Sequence, residues 1–198
     1  MDQLTDAILA ASQAVERHAL EHCCSHSCPG GDYVYGLVPD GWLARLAVLA
    51  KKSGYTMYRS DKPRLLNGDG CLGFTVSKPR NFAQALEMST KGIEPYSIHF
   101  RPDSSKAEQF SVVAHEITHA LLGHADTHRF DDYEHEIPAR LASLAVCEKA
   151  GLQTGQQAIC QMTRRMRDTG VRPDHQHAAL HAARLIDEAL GAELRVAA

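Results

Sequence analysis

The chain lacks any run of about 18 apolar residues, the least that a membrane-crossing helix needs, so no such helix is expected. It lacks a charge excess as well: 21 Lys and Arg stand against 24 Asp and Glu, a net charge of −3. With a pI near 6.4, that balance removes any global electrostatic case for nucleic-acid or membrane binding. The one basic cluster, Arg164, Arg165 and Arg167, reads as a solvated helix face. The first residues, Met1-Asp2-Gln3-Leu4-Thr5-Asp6, have neither the basic start nor the apolar stretch of a secretory signal. The expected location is therefore the cytoplasm. There Cys23, Cys24, Cys28, Cys71, Cys147 and Cys160 are expected as thiols, not disulfides. No internal repeat or low-complexity segment is present.

With 44% hydrophobic and 23% charged residues in 198, the composition excludes wholesale disorder. The length suits one domain. Helical spacing runs through residues 4–22, with Leu4, Ile8, Ala11, Val15 and Ala19 on one stripe. A second helix is expected from Pro39-Asp40-Gly41 to about Lys52, with Trp42 as a core anchor. Strand-like runs at Tyr55–Arg59 and Cys71–Val76 flank a turn-rich Asn67-Gly68-Asp69-Gly70. A short helix is expected over 81–90. Tyr96–Arg101 alternates and reads as a strand, with Ser97, His99 and Arg101 on its polar side. Ser105-Lys106-Ala107-Glu108 is a capping-box pattern that starts a helix ending near Gly123. Three more helical segments, about 137–150, 154–168 and 174–190, complete an α+β order.

Histidine is the unusual residue. There are twelve, five of them between positions 115 and 135. His115-Glu116-Ile117-Thr118-His119 puts two imidazoles four residues apart, on one helix face, about 40° from each other. That spacing suits a single zinc ion. Glu116 projects about 100° away from His115 and is placed to act on a water without ligating. Zinc acidifies water, and a carboxylate nearby can take its proton and pass it to a leaving amine. Phe110, Val113, Ala114, Ile117 and Leu121 form the core stripe on the other side.

A catalytic zinc usually takes three protein ligands. The metzincin continuation would put Gly and His at 122 and 125, where this chain has Leu122 and Ala125. Continued helix would place His124 about 180° from His115, so it is expected to cap or follow the helix end. The third ligand is then an acid on the next helix, from Asp131, Asp132, Glu134, Glu136 and Glu148. Glu136 is the choice, with Glu134 and His135 as alternatives. Pro138 belongs in a first helical turn, so that helix is expected to begin close to Glu136.

These residues resemble the ImmA/IrrE-type zinc metallopeptidases and the related metallopeptidase domain of ArdC-type antirestriction proteins. The likeness runs from His115 through Gly123-His124 and resumes at Glu136-Ile137-Pro138-Ala139, within a region of about 95–190. Residues 1–94 are N-terminal helices and a small sheet without an assigned role. The resemblance implies a minimal zincin-like domain, with a small sheet packed on the motif helix and C-terminal helices after it. It implies Zn²⁺, a third ligand at Glu136, and hydrolysis of a peptide bond in a protein substrate such as a regulator or repressor of a mobile element or stress response. Tyr96–Arg101 is the natural edge strand for pairing with an extended peptide.

Weaker signals remain. His18, His22, Cys23, Cys24, His26 and Cys28 crowd together but supply only one ligand knuckle, so a helix end running into a loop with reduced thiols is preferred to a second metal site. His99, Arg101, His128, Tyr133 and His135 are candidates for stabilising an oxyanion. His175, His177 and His181 are expected at the surface. The alternatives to an enzyme are a non-catalytic antirestriction or regulatory protein that keeps the metal for structure, and a metal-stabilised DNA-associated protein.

Overall fold

The computed structural model describes residues 2–21, 34–63, 72–76, 82–124, 133–155 and 170–191. The elements are α1 (Gln3–Glu21), β1 (Val34–Tyr35), α2 (Trp42–Lys52), β2 (Thr56–Arg59), β3 (Gly73–Val76), α3 (Phe82–Thr90), β4 (Ser97–Phe100), α4 (Lys106–Leu121), α5 (Tyr133–Lys149), β5 (Gln153–Thr154) and α6 (Pro173–Gly191). The class is α+β. The expected helices over 4–22, 41–52, 81–90 and 174–190 agree with the observed spans to within a residue or two, whereas the segment 154–168 lies almost wholly outside the described residues. Among the described residues no helix is long and apolar enough to cross a membrane.

Helix α4 is the organising element. Its N-cap is Ser105, whose hydroxyl accepts from the Glu108 N–H at 3.2 Å while the Glu108 carboxylate accepts from the Ser105 N–H at 3.0 Å. This reciprocal box satisfies two helix-end donors and stabilises by about 1 kcal/mol. Phe110, Val113, Ala114 and Ile117 are fully buried. Trp42 of α2 meets Phe110 edge to face, with ring centres 5.4 Å apart, a contact favoured by the ring quadrupoles. On its other flank α4 packs against α5, and Ser143 donates to the Ser111 carbonyl at 2.8 Å across that seam. Cys147 is buried there as a free thiol, its pKa pushed up to about 12 by burial. Helices α1 and α6 cover α5, so one apolar cluster runs from Leu4 to Ile186. Described elements of the first 94 residues, α1 and α2 among them, therefore share a core with the motif region.

The sheet has the order β2-β4-β3, with β2 parallel and β3 antiparallel to β4. Tyr96–Arg101 is not the edge strand that was expected. The segment is a strand, but β4 is the central one and all four of its residues are buried. Among the described residues the edge beside α4 is β3. Alternation turns Ile98 and Phe100 toward the main core, and turns His99 to the far face with Phe74. On that far face Phe74, Met88 and Ile93 form a second small core under α3.

Helix α5 also departs from expectation. It begins at Tyr133, and Pro138 lies inside it. A proline there forgoes the bond its N–H would make to the carbonyl of Glu134. The early turn is held from outside instead: the Arg172 guanidinium grips both Glu134 carboxylate oxygens, and His175 Nε2 lies 3.0 Å from one of them. His175 is accordingly buried, at 4% exposure, and not a surface residue as its place in the sequence suggests.

Candidate metal centre

Helix α4 presents His115 and His119 on one face, and the first turn of α5 crosses that face with Glu136. His115 Nε2 and His119 Nε2 are 3.1 Å apart. Glu136 Oε1 lies 3.2 Å from His119 Nε2, and Glu136 Oε2 lies 3.6 Å from His115 Nε2. One ligand atom from each residue falls within 4.8 Å of the others, the one such group of three among the described residues. Four ligands at the zinc–nitrogen and zinc–oxygen distances of about 2.0–2.1 Å stand about 3.3 Å apart at the edges of a tetrahedron. The 3.1 Å between the two imidazole nitrogens, and the 3.2 and 3.6 Å from them to the two oxygens of the one carboxylate, lie close to that value. Two imidazole nitrogens and a carboxylate are also the donor types that zinc takes, so the residues present fit the ion.

The electrostatics follow from burial. His115 is 6% exposed, and burial, reinforced by the Arg140 guanidinium, lowers its pKa to about 3. The imidazole is thus neutral, the form that ligates. Burial works to raise the Glu136 carboxyl, but its pairing with the His115 and His119 imidazoles outweighs burial and holds the group well below the ordinary carboxylate range. His115 Nδ1 is buried with no hydrogen-bond partner among the described residues.

Glu116 sits beside this group and does not join it. It is 7% exposed, and burial raises its carboxyl pKa to about 7. Strand β3 holds it. The Thr75 hydroxyl lies 2.9 Å from Glu116 Oε2 and 2.9 Å from the Glu116 carbonyl oxygen. That approach requires Gly73. A Cβ at this position would stand 2.4 Å from Val112 Cγ1 and 3.3 Å from Glu116 Cγ. The glycine lets the edge strand lie flat against the motif helix.

The C-terminus of α4 completes the surroundings. Gly123 takes φ +69° and turns the chain back over the last helical turn. His124 then reaches His119, with 3.1 Å between their Nδ1 atoms, and stacks on His135 of α5 at 4.3 Å between ring centres. Burial chiefly lowers the His124 pKa to about 3.

Of the residues singled out from sequence, His115, His119, Glu116 and Glu136 come together here. Glu134 turns away to Arg172 and His175, and its pKa falls to about 2 through those hydrogen bonds. His135 contacts His124, outside the donor group. His99 and Arg101 do not reach the centre. His99 faces the opposite side of the sheet, between Tyr58 and Phe74, and Arg101 grips Asp103 at 2.6 Å. Asp131, Asp132, His128 and the side chain of Tyr133 lie outside the described residues, as do the basic cluster Arg164–Arg167, the residues His22 to Cys28 and the side chain of His18. Three contributors went unread in the sequence: Thr75, Gly73 and Arg140. Arg140 follows Glu136 by one turn on its own face, which was the available signal; nothing in the local sequence marks the other two. Compared with known protein families, curated proteins and solved structures, the chain matches none.

Proposed function

We propose that the chain is a zinc-dependent hydrolase of the metallopeptidase type, with His115, His119 and Glu136 as ligands and Glu116 as general base and acid. The observation that carries the reading is the convergence of those three donors beside a buried carboxyl that is held from the edge strand. A zinc ion there supplies a Lewis acid that acidifies water and polarises a carbonyl. Glu116, buried beside the donor group without joining it, is placed to exchange a proton with that water. It takes the proton of the attacking water and returns it to the leaving amine. Thr75 keeps the carboxyl aimed during both transfers. The β3 edge beside Glu116 offers an extended peptide a strand to pair with, a role first expected of β4.

A small sheet on the motif helix with an edge strand beside the site supports a minimal zincin-like fold, in line with the likeness to ImmA/IrrE-type metallopeptidases. A regulator or repressor as substrate rests on that likeness alone. The test is digestion of a proteome-derived peptide library by zinc-loaded protein, read by mass spectrometry. Wild type is expected to cut at a recurring sequence. Glu116→Gln is expected to keep its zinc and lose about 10²–10⁴ in rate, the usual worth of a general base. Equal cleavage by the two proteins would remove Glu116 from the mechanism. No cleavage by zinc-loaded wild type would favour a binding role.

A further inference from the structure

His119 Nε2 points into the donor group, where it stands 3.1 Å from His115 Nε2 and 3.2 Å from Glu136 Oε1. A ligating nitrogen must offer a lone pair, so the proton of a neutral His119 belongs on Nδ1. That Nδ1 lies 3.1 Å from His124 Nδ1. Two ring nitrogens at this distance form a hydrogen bond only when one donates and the other accepts. We propose that His124 is a positioning residue of the metal centre: its Nδ1 accepts the Nδ1–H of His119 and fixes the tautomer that turns the Nε2 lone pair toward the cation. The inference rests on the metal reading above and adds a residue outside the ligand set.

The backbone explains why this partner escapes a helical-wheel argument. Continued helix would carry His124 about 140° round the axis from His119, out of reach. Gly123, in the left-handed region at φ +69°, ends the helix and folds the chain back. His135, the neighbour of Glu136 on α5, then stacks on the His124 ring at 19° between planes and holds its orientation. Helix α5 thus delivers a ligand and the support of an orienting group through adjacent residues. His115 has no such support among the described residues, since its Nδ1 is without a partner. Groups that orient metal-bound imidazoles are commonly carboxylates or carbonyls; a neutral imidazole acceptor does the same work without adding charge.

Two substitutions separate hydrogen bonding from packing. His124→Phe keeps a ring on His135 and removes the acceptor. His124→Asn places an acceptor near the old Nδ1 position and removes the ring. Zinc affinity is measured by competition with a chromophoric chelator. The Phe variant is expected to bind about 10–100-fold more weakly, and the Asn variant to stay close to wild type. Wild-type affinity in His124→Phe, or equal weakening in both, overturns the proposal and leaves the metal reading standing. Wild type that binds no zinc overturns both. Nitrogen-15 NMR of zinc-loaded wild type gives an answer independent of any variant: the proton belongs on Nδ1 of His119 and on Nε2 of His124, and a proton on Nδ1 of His124 contradicts the proposal.

Discussion

Two buried histidine environments lie on opposite faces of one small sheet, and they are built on different rules. On the far face, His99 is 1% exposed and fully provided for. Its Nδ1 meets Ser60 Oγ at 3.1 Å and its Nε2 meets Ser97 Oγ at 3.0 Å, while Tyr58 and Phe74 cover its two ring faces at 5.0 and 4.8 Å. On the near face, His115 and His119 aim nitrogens at each other and at a carboxylate, with a second buried carboxyl alongside. Burial of polar groups costs free energy unless each finds its partner. The first environment meets that demand within the protein. The second gathers lone pairs and negative charge in one place, which on the proposed reading a cation completes. A histidine's role is therefore read from whether its nitrogens are already used, not from its burial.

Substitutions should break the far environment without touching the near one. His99→Ala leaves a cavity between two rings and takes a partner from Ser60 and Ser97. A loss of about 3–4 kcal/mol in denaturant unfolding is expected, with zinc stoichiometry unchanged; a fall in bound zinc would mean that the two faces are coupled. Acid sharpens the contrast. Burial chiefly, with Lys62 adding, lowers the His99 pKa from 6.5 to about 4. As pH falls, the unfolded chain takes up the proton first. The contribution of His99 to stability is complete above pH 6.5 and is lost as pH drops toward 4. Its ceiling is about 3 kcal/mol. The slope of stability against pH in that window should be smaller in His99→Ala than in wild type; equal slopes would contradict the assignment.

Gly73→Ala works from the near side. Its Cβ would meet Val112 at 2.4 Å, so β3 must lift from α4, at a cost of about 1–3 kcal/mol. Thr75 then loses its hold on Glu116, and turnover should fall by more than stability alone explains. Unfolding curves and rates for the same preparation separate the two effects. Gly123→Ala is the mildest change. Nothing lies within 4 Å of the added Cβ, but φ is +69°, so the strain is about 1 kcal/mol. A midpoint shift of that size is expected, together with slightly weaker zinc binding as His124 moves.

Much of the near side was legible from sequence because it is local. Four-residue spacing sets His115 above His119, the phase of Phe110, Val113 and Ile117 gives the core side, and Ser105 with Glu108 fixes the start. Glu136 was also accessible, since helical spacing resumes there and Pro138 belongs near a helix entry. The errors concern what lies beside each element. Alternation identifies β4 as a strand but not its neighbours, so Ser97 and His99 looked like an exposed polar side, whereas both are buried and Tyr58 of β2 and Phe74 of β3 cover the His99 ring. Pro138 suggests a helix start, and only contacts from Arg172 and His175, far along the chain, allow α5 to begin earlier. Thr75 acts through a residue 41 positions away, a pairing that no short motif encodes.

The most direct test of the account is elemental analysis of untagged protein: wild type, His115→Ala, Glu136→Ala and His99→Ala. It predicts about one zinc per chain in wild type and in the His99 variant, and none in the other two. Wild type free of metal under zinc-replete conditions, or full zinc in Glu136→Ala, would contradict it.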